Sequence, residues 1–338
     1  MTFHLIYYGD CLDVIKEIED NSIQLVVTSP PYYNAREYSK YETYQDYLNF
    51  MDNLIGLLPR VLVDGGYLCL NTTSYTEKKV MYPIPFDLLQ LCTKHGFNLV
   101  WDVIWLKPKY TQALWRSSNY NYRKPYPYNL YLNCFHEYIW ICRLGDQYRE
   151  VTKEELETSK IIGEQIEIKG KLKDEKVLRY SYREWAFEVA KPSKEQHSAS
   201  YPIELPSYCI ELFSLKNDTV LDPFLGTGTT SKAAMSLGRN SVGIEVNKDY
   251  FDLIQKKLIP DHKNMYQYST PEEIKKSGLK EHLVEFKNVD FITPSIYKIH
   301  LKEKSANIVK NAKKAIVKEE NNSGKKIQSS IDAFRKRE

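Results

Sequence analysis

The chain has 338 residues, of which 42% are hydrophobic, so it has enough apolar material for one large domain or two smaller ones. The formal net charge is only +3, but residues 261–338 carry 17 basic and 11 acidic side chains, which favours a polyanionic partner. No run of 18 apolar residues occurs, and residues 1–10 lack the charged start of a signal peptide, so composition predicts a cytoplasmic protein without a membrane span. The six cysteines form no C-x-x-C pair, which argues against a metal site and a disulfide framework.

Strand-like and helix-like segments alternate over the first 142 residues. Five strands are predicted, at residues 4–8, 24–28, 66–71, 99–105 and 137–142. Between them, residues 44–58 have apolar side chains at helical spacing, with Thr43 as the N-cap and Pro59 at the end. This alternation indicates a parallel α/β sheet.

The second half of the chain begins with a change of character. Residues 143–195 are rich in Lys and Glu without a clear alternation, which indicates an insertion. Alternation then returns, with helices predicted near 204–214, 229–237 and 248–258 and strands at 219–222 and 241–245. The tail after Pro260 is charged and basic.

Residues 219–234, TVLDPFLGTGTTSKAA, have the pattern of a strand, a glycine loop and a helix start. Gly226 and Gly228 allow a sharp turn and close approach to a ligand, and Thr229 or Thr230 is the expected helix cap. Glu245 ends the next strand, where an acid binds ribose hydroxyls in doubly wound folds. Neither G-x-G-x-x-G nor G-K-[ST] occurs, so a nucleoside with a carboxylate, such as S-adenosylmethionine, fits better than a dinucleotide.

This glycine loop comes late in the chain, and only one more strand with its helix follows it before the basic tail. Two strands do not form a stable sheet alone, so the partner strands must come from residues 1–142. The sheet is therefore one domain with a permuted order of parts. The stretch VVTSPPYYN, residues 26–34, is expected opposite the glycine loop at the carboxyl edge of the sheet, where such folds bind ligands.

The tetrapeptide Ser29-Pro30-Pro31-Tyr32 and the segment DPFLGTG, residues 222–228, together resemble the β group of DNA amino-methyltransferases. The resemblance implies a doubly wound, mostly parallel, seven-stranded α/β sheet in circularly permuted order, with a small target-recognition insertion. It implies that residues 1–142 form the catalytic part, 143–195 the target-recognition region and 196–260 the cofactor part, with 261–338 as a basic extension. Serine in the tetrapeptide is typical of the cytosine-N4 enzymes of restriction–modification systems.

The chemistry of an exocyclic amine explains this tetrapeptide. Such an amine shares its lone pair with the ring, and hydrogen bonds from its N–H groups to fixed acceptors localise that lone pair. Ser29 Oγ and the Pro30 carbonyl are the expected acceptors, and Pro31 restricts Pro30 to an extended conformation that aims its carbonyl outward. Tyr32 is expected to stack on a base flipped out of double-stranded DNA.

Further roles are carried over from the resemblance. Asp10 is expected to contact the adenine of S-adenosylmethionine, while His197, Ser198 and Pro202 approach the methionine end. The cofactor site is completed by residues of the glycine loop and the next strand: Asp222, Pro223, Phe224, Gly226, Gly228 and Glu245.

Residues 103–136 contain basic side chains, interleaved tyrosines and no acid, a pattern typical of a DNA groove. The predicted DNA contacts are Lys107, Lys109, Arg116, Arg123 and Lys124. Candidates for reading guanine edges are Arg143, Arg149, Arg179 and Arg183. The expected partners are double-stranded DNA and a cognate restriction endonuclease, and the chain is expected to be a monomer or a homodimer.

Several alternative functions are weighed against this one. An adenine-N6 methyltransferase of the same fold stays open. Cytosine C5 methylation requires a cysteine nucleophile, usually in a Pro-Cys dipeptide, and none occurs. A nicotinamide-linked oxidoreductase is disfavoured by the missing third glycine, and a non-catalytic DNA-binding module is the remaining alternative.

Overall fold

The computed structural model describes residues 2–33, 41–77, 80–107, 126–127, 135–168, 171–188, 201–258 and 265–268, all within the first of two compact units, residues 1–288. The strands are β1 (His4–Tyr8), β2 (Ile23–Thr28), β3 (Leu62–Thr72), β4 (Tyr75–Glu77), β5 (Val80–Tyr82), β6 (Phe97–Leu106), β7 (His136–Leu144), β8 (Gln165–Ile168), β9 (Lys171–Asp174), β10 (Glu184–Ala186), β11 (Thr219–Asp222), β12 (Asn240–Glu245) and β13 (Met265–Tyr268). The helices are α1 (Cys11–Glu17), α2 (Tyr44–Val61), α3 (Ile84–Lys94), α4 (Lys153–Thr158), α5 (Glu175–Tyr180), α6 (Glu204–Phe213), α7 (Thr229–Ser236) and α8 (Lys248–Lys257).

One mixed sheet organises these elements, in the order β10-β6-β7-β3-β2-β11-β12-β1-β13. Among its described strands, β7 runs antiparallel to its neighbours, and the other pairings are parallel. Two separate hairpins, β4-β5 and β8-β9, complete the described strands. The sheet combines strands from both ends of the described chain, because β2 of the N-terminal part pairs with β11 of the glycine-loop part.

Apolar side chains cover both faces of this sheet, as the doubly wound prediction requires. The buried residues of α1, α2 and α3 pack on one face, and those of α6 and α7 pack on the other. The central strands β2 and β11 are buried almost throughout, which explains their continuous apolar sequences. Helix α2 starts as predicted, since Thr43 caps it and forms a reciprocal capping box with Asp46.

Three details of the sequence-based prediction were wrong. The sheet has nine described strands and not seven, because the short edge strands β10 and β13 are too brief to show a pattern in the sequence. Helix α2 continues through Pro59 to Val61, since burial of Val61 offsets the lost hydrogen bond of the proline. Helix α7 is capped by Gly228 without a side-chain bond, because the Thr230 hydroxyl turns to Asp222.

The lysine-rich segment 143–195 contains short helices, one hairpin and the edge strand β10. Trp185 of β10 is 2% exposed and packs in the core with Tyr208 of α6. This segment is therefore anchored to the sheet at its C-terminal end.

The carboxyl edge of the sheet gathers several polar residues. Strands β2, β3, β11 and β12 all end there, at Thr28, Thr72, Asp222 and Glu245, and the antiparallel β7 begins there. Over the described ranges, no helix is long and apolar enough to cross a membrane, and no cluster of His, Cys, Asp or Glu is arranged to hold a metal ion.

Candidate active site

The tetrapeptide follows the C-terminal end of the central strand β2. Ser29, Pro31 and Tyr32 are half-buried, and Pro30 is buried. The Ser29 hydroxyl lies 3.4 Å from the Tyr32 hydroxyl, so the first and last residues of the tetrapeptide contact each other. The loop therefore holds Ser29 and Tyr32 together at the edge of the sheet.

Two residues that the sequence analysis missed complete this group. Asn71, the penultimate residue of β3, donates from Nδ2 to Ser29 Oγ at 3.2 Å and to Glu137 Oε2 at 2.7 Å. Glu137, near the start of β7, also accepts a 3.0 Å hydrogen bond from the Tyr32 hydroxyl. The sequence signals were a polar residue ending the apolar run LCLN and an acid starting the apolar run EYIWIC.

Lys107 forms an ion pair with Glu137 and is only 17% exposed in its side chain. Its ammonium also lies 5.0 Å from the centre of the Trp105 ring. The residue predicted to contact DNA is thus held in the same group as the tetrapeptide. We call Ser29, Tyr32, Asn71, Glu137 and Lys107 the amine-side cluster.

The residue after the tetrapeptide anchors it to the core. Tyr33 is 5% exposed, and its ring centre lies 4.9 Å from that of Tyr82 and 5.2 Å from that of Tyr44. Tyr44 in turn donates a 2.6 Å hydrogen bond to Asp87. Such edge-to-face aromatic contacts fix the chain directly behind Tyr32.

Asp222 ends β11 and is 1% exposed. Its carboxylate accepts hydrogen bonds from Thr28 Oγ1 at 2.8 Å, the Tyr201 hydroxyl at 3.0 Å, the Phe224 amide at 3.0 Å and the Thr230 hydroxyl. Burial raises the pKa of Asp222 above its usual value, against the opposing effect of these donors. Asp222 therefore joins β2, β11 and α7, and its oxygens are already occupied within the protein.

Glu245 lies at the end of β12 and is 7% exposed. Its carboxylate accepts a 2.7 Å hydrogen bond from the Gly226 amide and another of 2.7 Å from the Asn247 amide. Burial, with a smaller contribution from the charge of Asp222, raises the pKa of Glu245 to about 7. Glu245, which was predicted to bind ribose hydroxyls, is therefore hydrogen-bonded to the glycine loop.

Gly226 and Gly228 of this loop are glycine for different structural reasons. Gly226 has a φ of +57°, and a Cβ added there would meet no atom of the described residues within 4 Å, so no described residue covers this turn. Gly228 has a φ of +87°, and an added Cβ would come within 2.5 Å of Leu258 Cδ1. Gly226 therefore allows a ligand to approach, whereas Gly228 allows α8 to pack. We call Asp222, Glu245 and the loop from 223 to 228 the cofactor-side loop.

The structure describes several of the remaining predicted residues. Asp10 is exposed and caps α1 by accepting a 2.8 Å hydrogen bond from the Leu12 amide. Phe224 is half-buried, with its ring centre 6.1 Å from that of Phe50, while Pro202 and Pro223 are buried. Six predicted residues lie outside the described ranges: Lys109, Arg116, Arg123, Lys124, His197 and Ser198.

The four arginines considered for base recognition all have contacts within the chain. Arg149 pairs with Asp218 at 2.9 Å, Arg179 pairs with Glu175 at 2.5 Å, and Arg183 pairs with Asp102. The guanidinium of Arg143 lies 4.1 Å from the centre of the Tyr148 ring. The Arg183 pair is the most exposed of the three ion pairs, so its partners can exchange most easily.

The fold and the site define a class of protein. The sheet is mostly parallel with one antiparallel strand in its described part, and a glycine loop with an acid on the next strand lies beside a Ser-Pro-Pro-Tyr loop at one edge. This is the arrangement of a methyltransferase-like α/β domain. A family model described as DNA methylase, covering N6- and N4-methyltransferases, matches residues 23–256, and the chain belongs to this family.

Individual relatives agree with this membership. The type II methyltransferase M.MjaI of Methanocaldococcus jannaschii is 32% identical, over 76% of this chain and 91% of that protein. The type II methyltransferase M.MthZI of Methanothermobacter thermautotrophicus is 27% identical, over 76% of this chain and 77% of that protein.

Solved structures show the same architecture. TTHA0409 from Thermus thermophilus, in its complex with S-adenosyl-L-methionine, aligns with a TM-score of 0.62 at 26% identity. That alignment covers 79% of this chain and 98% of TTHA0409. The cytosine-N4-specific PvuII DNA methyltransferase aligns with a TM-score of 0.58 at 17% identity, over 82% of this chain and 91% of that chain, which shows a shared fold.

Proposed function

We propose that the protein is a site-specific DNA methyltransferase that transfers a methyl group from S-adenosylmethionine to the exocyclic N4 of a flipped cytosine. The observation that carries this proposal is the direct link between the two parts of the site. Thr28, the residue before the tetrapeptide, donates a buried 2.8 Å hydrogen bond to Asp222 of the cofactor-side loop. An amine held at Ser29 and a methyl donor held at Gly226 therefore meet at one edge of the sheet.

S-adenosylmethionine is the cofactor, and it supplies an electrophilic methyl group on a sulfonium sulfur. The residues present fit such a ligand, because no described residue fills the space over Gly226 and Glu245 accepts a hydrogen bond from that glycine. Glu245 would accept hydrogen bonds from the ribose hydroxyls, and the half-buried ring of Phe224 would pack on the adenine. Asp222 stabilises the loop through its four internal hydrogen bonds.

The amine-side cluster would prepare the nucleophile. Ser29 Oγ and the Pro30 carbonyl accept hydrogen bonds from the amine, which localises the nitrogen lone pair, and the Tyr32 ring supports the base. The nitrogen–methyl bond forms as the sulfur–methyl bond breaks, and the amine then releases one proton to solvent. The contribution of the protein is mainly orientation and hydrogen bonding, since the methyl donor is already activated.

Cytosine is proposed as the target because Ser29 supplies a neutral hydroxyl, typical of cytosine-N4 enzymes, where adenine-specific relatives place a carboxylate or an amide. Adenine N6 is the second candidate, since Glu137 places a carboxylate two hydrogen bonds from the same position. The two products differ in mass and chromatographic behaviour, so one experiment separates them.

The chain order agrees with a circularly permuted β-group enzyme. The catalytic part, residues 1–142, precedes the cofactor part, residues 196–260, and we propose that residues 143–195 recognise the target sequence. Residues 261–338 and the basic residues around Arg116 would bind the DNA backbone. Type II methyltransferases among the relatives favour pairing with a cognate restriction endonuclease.

Methylation of DNA by the purified protein tests this proposal. The protein is incubated with S-adenosylmethionine and DNA containing all short sequence contexts, and the nucleosides are then separated and identified by mass spectrometry. We expect N4-methylcytosine as the main product. N6-methyladenine alone would contradict the choice of cytosine, and the absence of both would contradict the enzymatic function.

A further inference from the structure

The amine-side cluster contains more than the tetrapeptide requires for contact with a base. Asn71 is 1% exposed, and its Oδ1 is buried with no hydrogen-bond partner among the described residues. Leaving a buried polar atom unpaired lowers stability, because the atom has lost its hydrogen bonds to water. The amide therefore occupies this position at a cost to stability, and only its donor atom has partners in the described part of the chain.

The charged members of the cluster fix the direction of its hydrogen bonds. The Lys107 ammonium is only a donor and the Glu137 carboxylate is only an acceptor, so Glu137 must accept from Lys107, from Asn71 and from Tyr32. A tyrosine hydroxyl has a single hydrogen, and Tyr32 gives it to Glu137. Burial and the charge of Glu137 raise the pKa of Tyr32 well above its usual value, so this hydrogen stays in place.

Because a hydroxyl has a single hydrogen, the same reasoning determines whether Ser29 donates to Tyr32 or accepts from it. The contact of 3.4 Å between the Ser29 and Tyr32 hydroxyls needs one hydrogen, and Tyr32 has none left to give. Ser29 is therefore the donor in this contact, which is long for a hydrogen bond between two hydroxyls. Asn71 Nδ2 has two hydrogens, and its two shortest contacts are Glu137 at 2.7 Å and the Ser29 oxygen at 3.2 Å, ahead of the Tyr32 hydroxyl at 3.4 Å. Asn71 therefore donates to the Ser29 oxygen and occupies one of its two lone pairs.

We infer that Glu137 is a positioning residue that acts through Tyr32 and Asn71 to make Ser29 a hydrogen-bond acceptor toward the target amine. The remaining Ser29 lone pair accepts an N–H of the amine, while the Ser29 hydrogen is directed toward Tyr32. The inference rests on the proposed function, but it holds for a cytosine or an adenine amine, because both present an N–H donor.

The test uses Glu137→Gln, which keeps the shape of the side chain and replaces one acceptor oxygen by a donor. We expect the single-turnover rate of methyl transfer to fall about 10- to 100-fold, as expected for a lost orienting group. The Kd for S-adenosylmethionine should stay within about twofold of wild type, because the hydrogen bonds of Glu137 within the described residues go to Tyr32, Asn71 and Lys107 and not to the cofactor-side loop. In a Ser29→Ala background, followed by long incubations with tritiated cofactor, Glu137→Gln should cause no further loss.

The chain offers a matched control at Glu211. This residue also accepts from a lysine, Lys176, and from a tyrosine, Tyr180 at 2.6 Å, but it lies outside the amine-side cluster. Glu211→Gln should leave the rate of methyl transfer within about twofold of wild type.

Three outcomes would overturn the inference. They are an unchanged rate in Glu137→Gln, an equal loss in the wild-type and Ser29→Ala backgrounds, or an equal loss in Glu211→Gln. If Glu137→Gln does not fold, Tyr32→Phe decides, since it keeps the ring but removes the hydroxyl, and a wild-type rate would then contradict the inference. A wild-type protein that methylates adenine contradicts only the proposed choice of base, whereas an inactive wild-type protein contradicts both.

Discussion

The buried carboxylates on the two sides of the candidate site have different kinds of partner. On the cofactor side, Asp222 and Glu245 accept from hydroxyls and backbone amides, and burial raises the pKa of both. On the amine side, Glu137 is paired with the Lys107 ammonium and receives hydrogen bonds from Tyr32 and Asn71. Glu245, which accepts from two backbone amides, suits a ligand with hydroxyls to donate, whereas the ion-paired carboxylate of Glu137 suits a fixed orienting role.

The largest expected effect comes from a substitution that disrupts the amine side alone. Tyr32→Ala should lower the rate of methyl transfer about 100- to 1000-fold, because it removes the ring that supports the base, worth about 1–3 kcal/mol, and also releases Ser29. Quantified methyl transfer and calorimetric cofactor binding are measured on the same variant. A Tyr32→Ala protein that loses cofactor affinity as strongly as rate would contradict the division into two sides.

The next largest effect is expected from a substitution that disrupts the cofactor side. Asp222→Ala leaves four internal donors without their acceptor, and each buried donor left unpaired costs about 1–3 kcal/mol. The free energy of unfolding should therefore fall by about 3 kcal/mol or more, together with cofactor affinity. Urea unfolding monitored by circular dichroism measures the first and calorimetry the second. Full stability in Asp222→Ala would show that these hydrogen bonds do not hold the loop.

A smaller effect follows from the pKa of Glu245, which is raised to about 7. Ribose hydroxyls bind the ionised carboxylate better, and ionisation increases as the pH rises through this pKa. The affinity for S-adenosylmethionine should therefore increase up to about tenfold from about pH 6 to about pH 8. Glu245→Gln should bind more weakly and show a flat profile, and an equally steep profile in that variant would assign the pH dependence to another group.

The smallest effect concerns the junction of the two sides. Thr28→Val removes the hydroxyl that donates to Asp222 and should lower the free energy of unfolding by about 1–2 kcal/mol. Thr72→Val is the matched control, because the Thr72 hydroxyl is buried without a partner in the described part of the chain and its removal should be neutral or stabilising. Equal unfolding free energies for the two variants would contradict the role of the Thr28 hydrogen bond.

The same contrast explains how far the sequence could predict the structure. The cofactor-side loop is local in sequence, since Asp222, Gly226 and Glu245 lie within one strand–loop–helix–strand unit, and its glycines mark the turns. The central strands were also predictable, because burial on both faces requires continuous apolar runs. Thr43 marked the start of α2 through its capping box.

The amine side was only half predictable, for a physical reason. Asn71 and Glu137 are separated by 66 residues and meet because β7 runs antiparallel to β3 in one register. No local pattern encodes that register, and a lone Asn or Glu at a strand end has many ordinary structural roles. Likewise, Lys107 was predicted to contact DNA from its basic surroundings, and only the fold brings it to Glu137.

Single-turnover methyl transfer by Ser29→Ala, with cofactor affinity measured on the same preparation, tests the central claim most directly. Within the described residues, the hydrogen-bond partners of Ser29 Oγ are Tyr32 and Asn71, and neither belongs to the cofactor-side loop. We predict a cofactor Kd within about twofold of wild type and a methyl-transfer rate lower by about 100-fold or more, as for the loss of one fixed hydrogen-bond partner at a reacting group. A wild-type rate in Ser29→Ala, with N4-methylcytosine or N6-methyladenine still formed, would contradict the assignment of this edge of the sheet as the place where the amine is methylated.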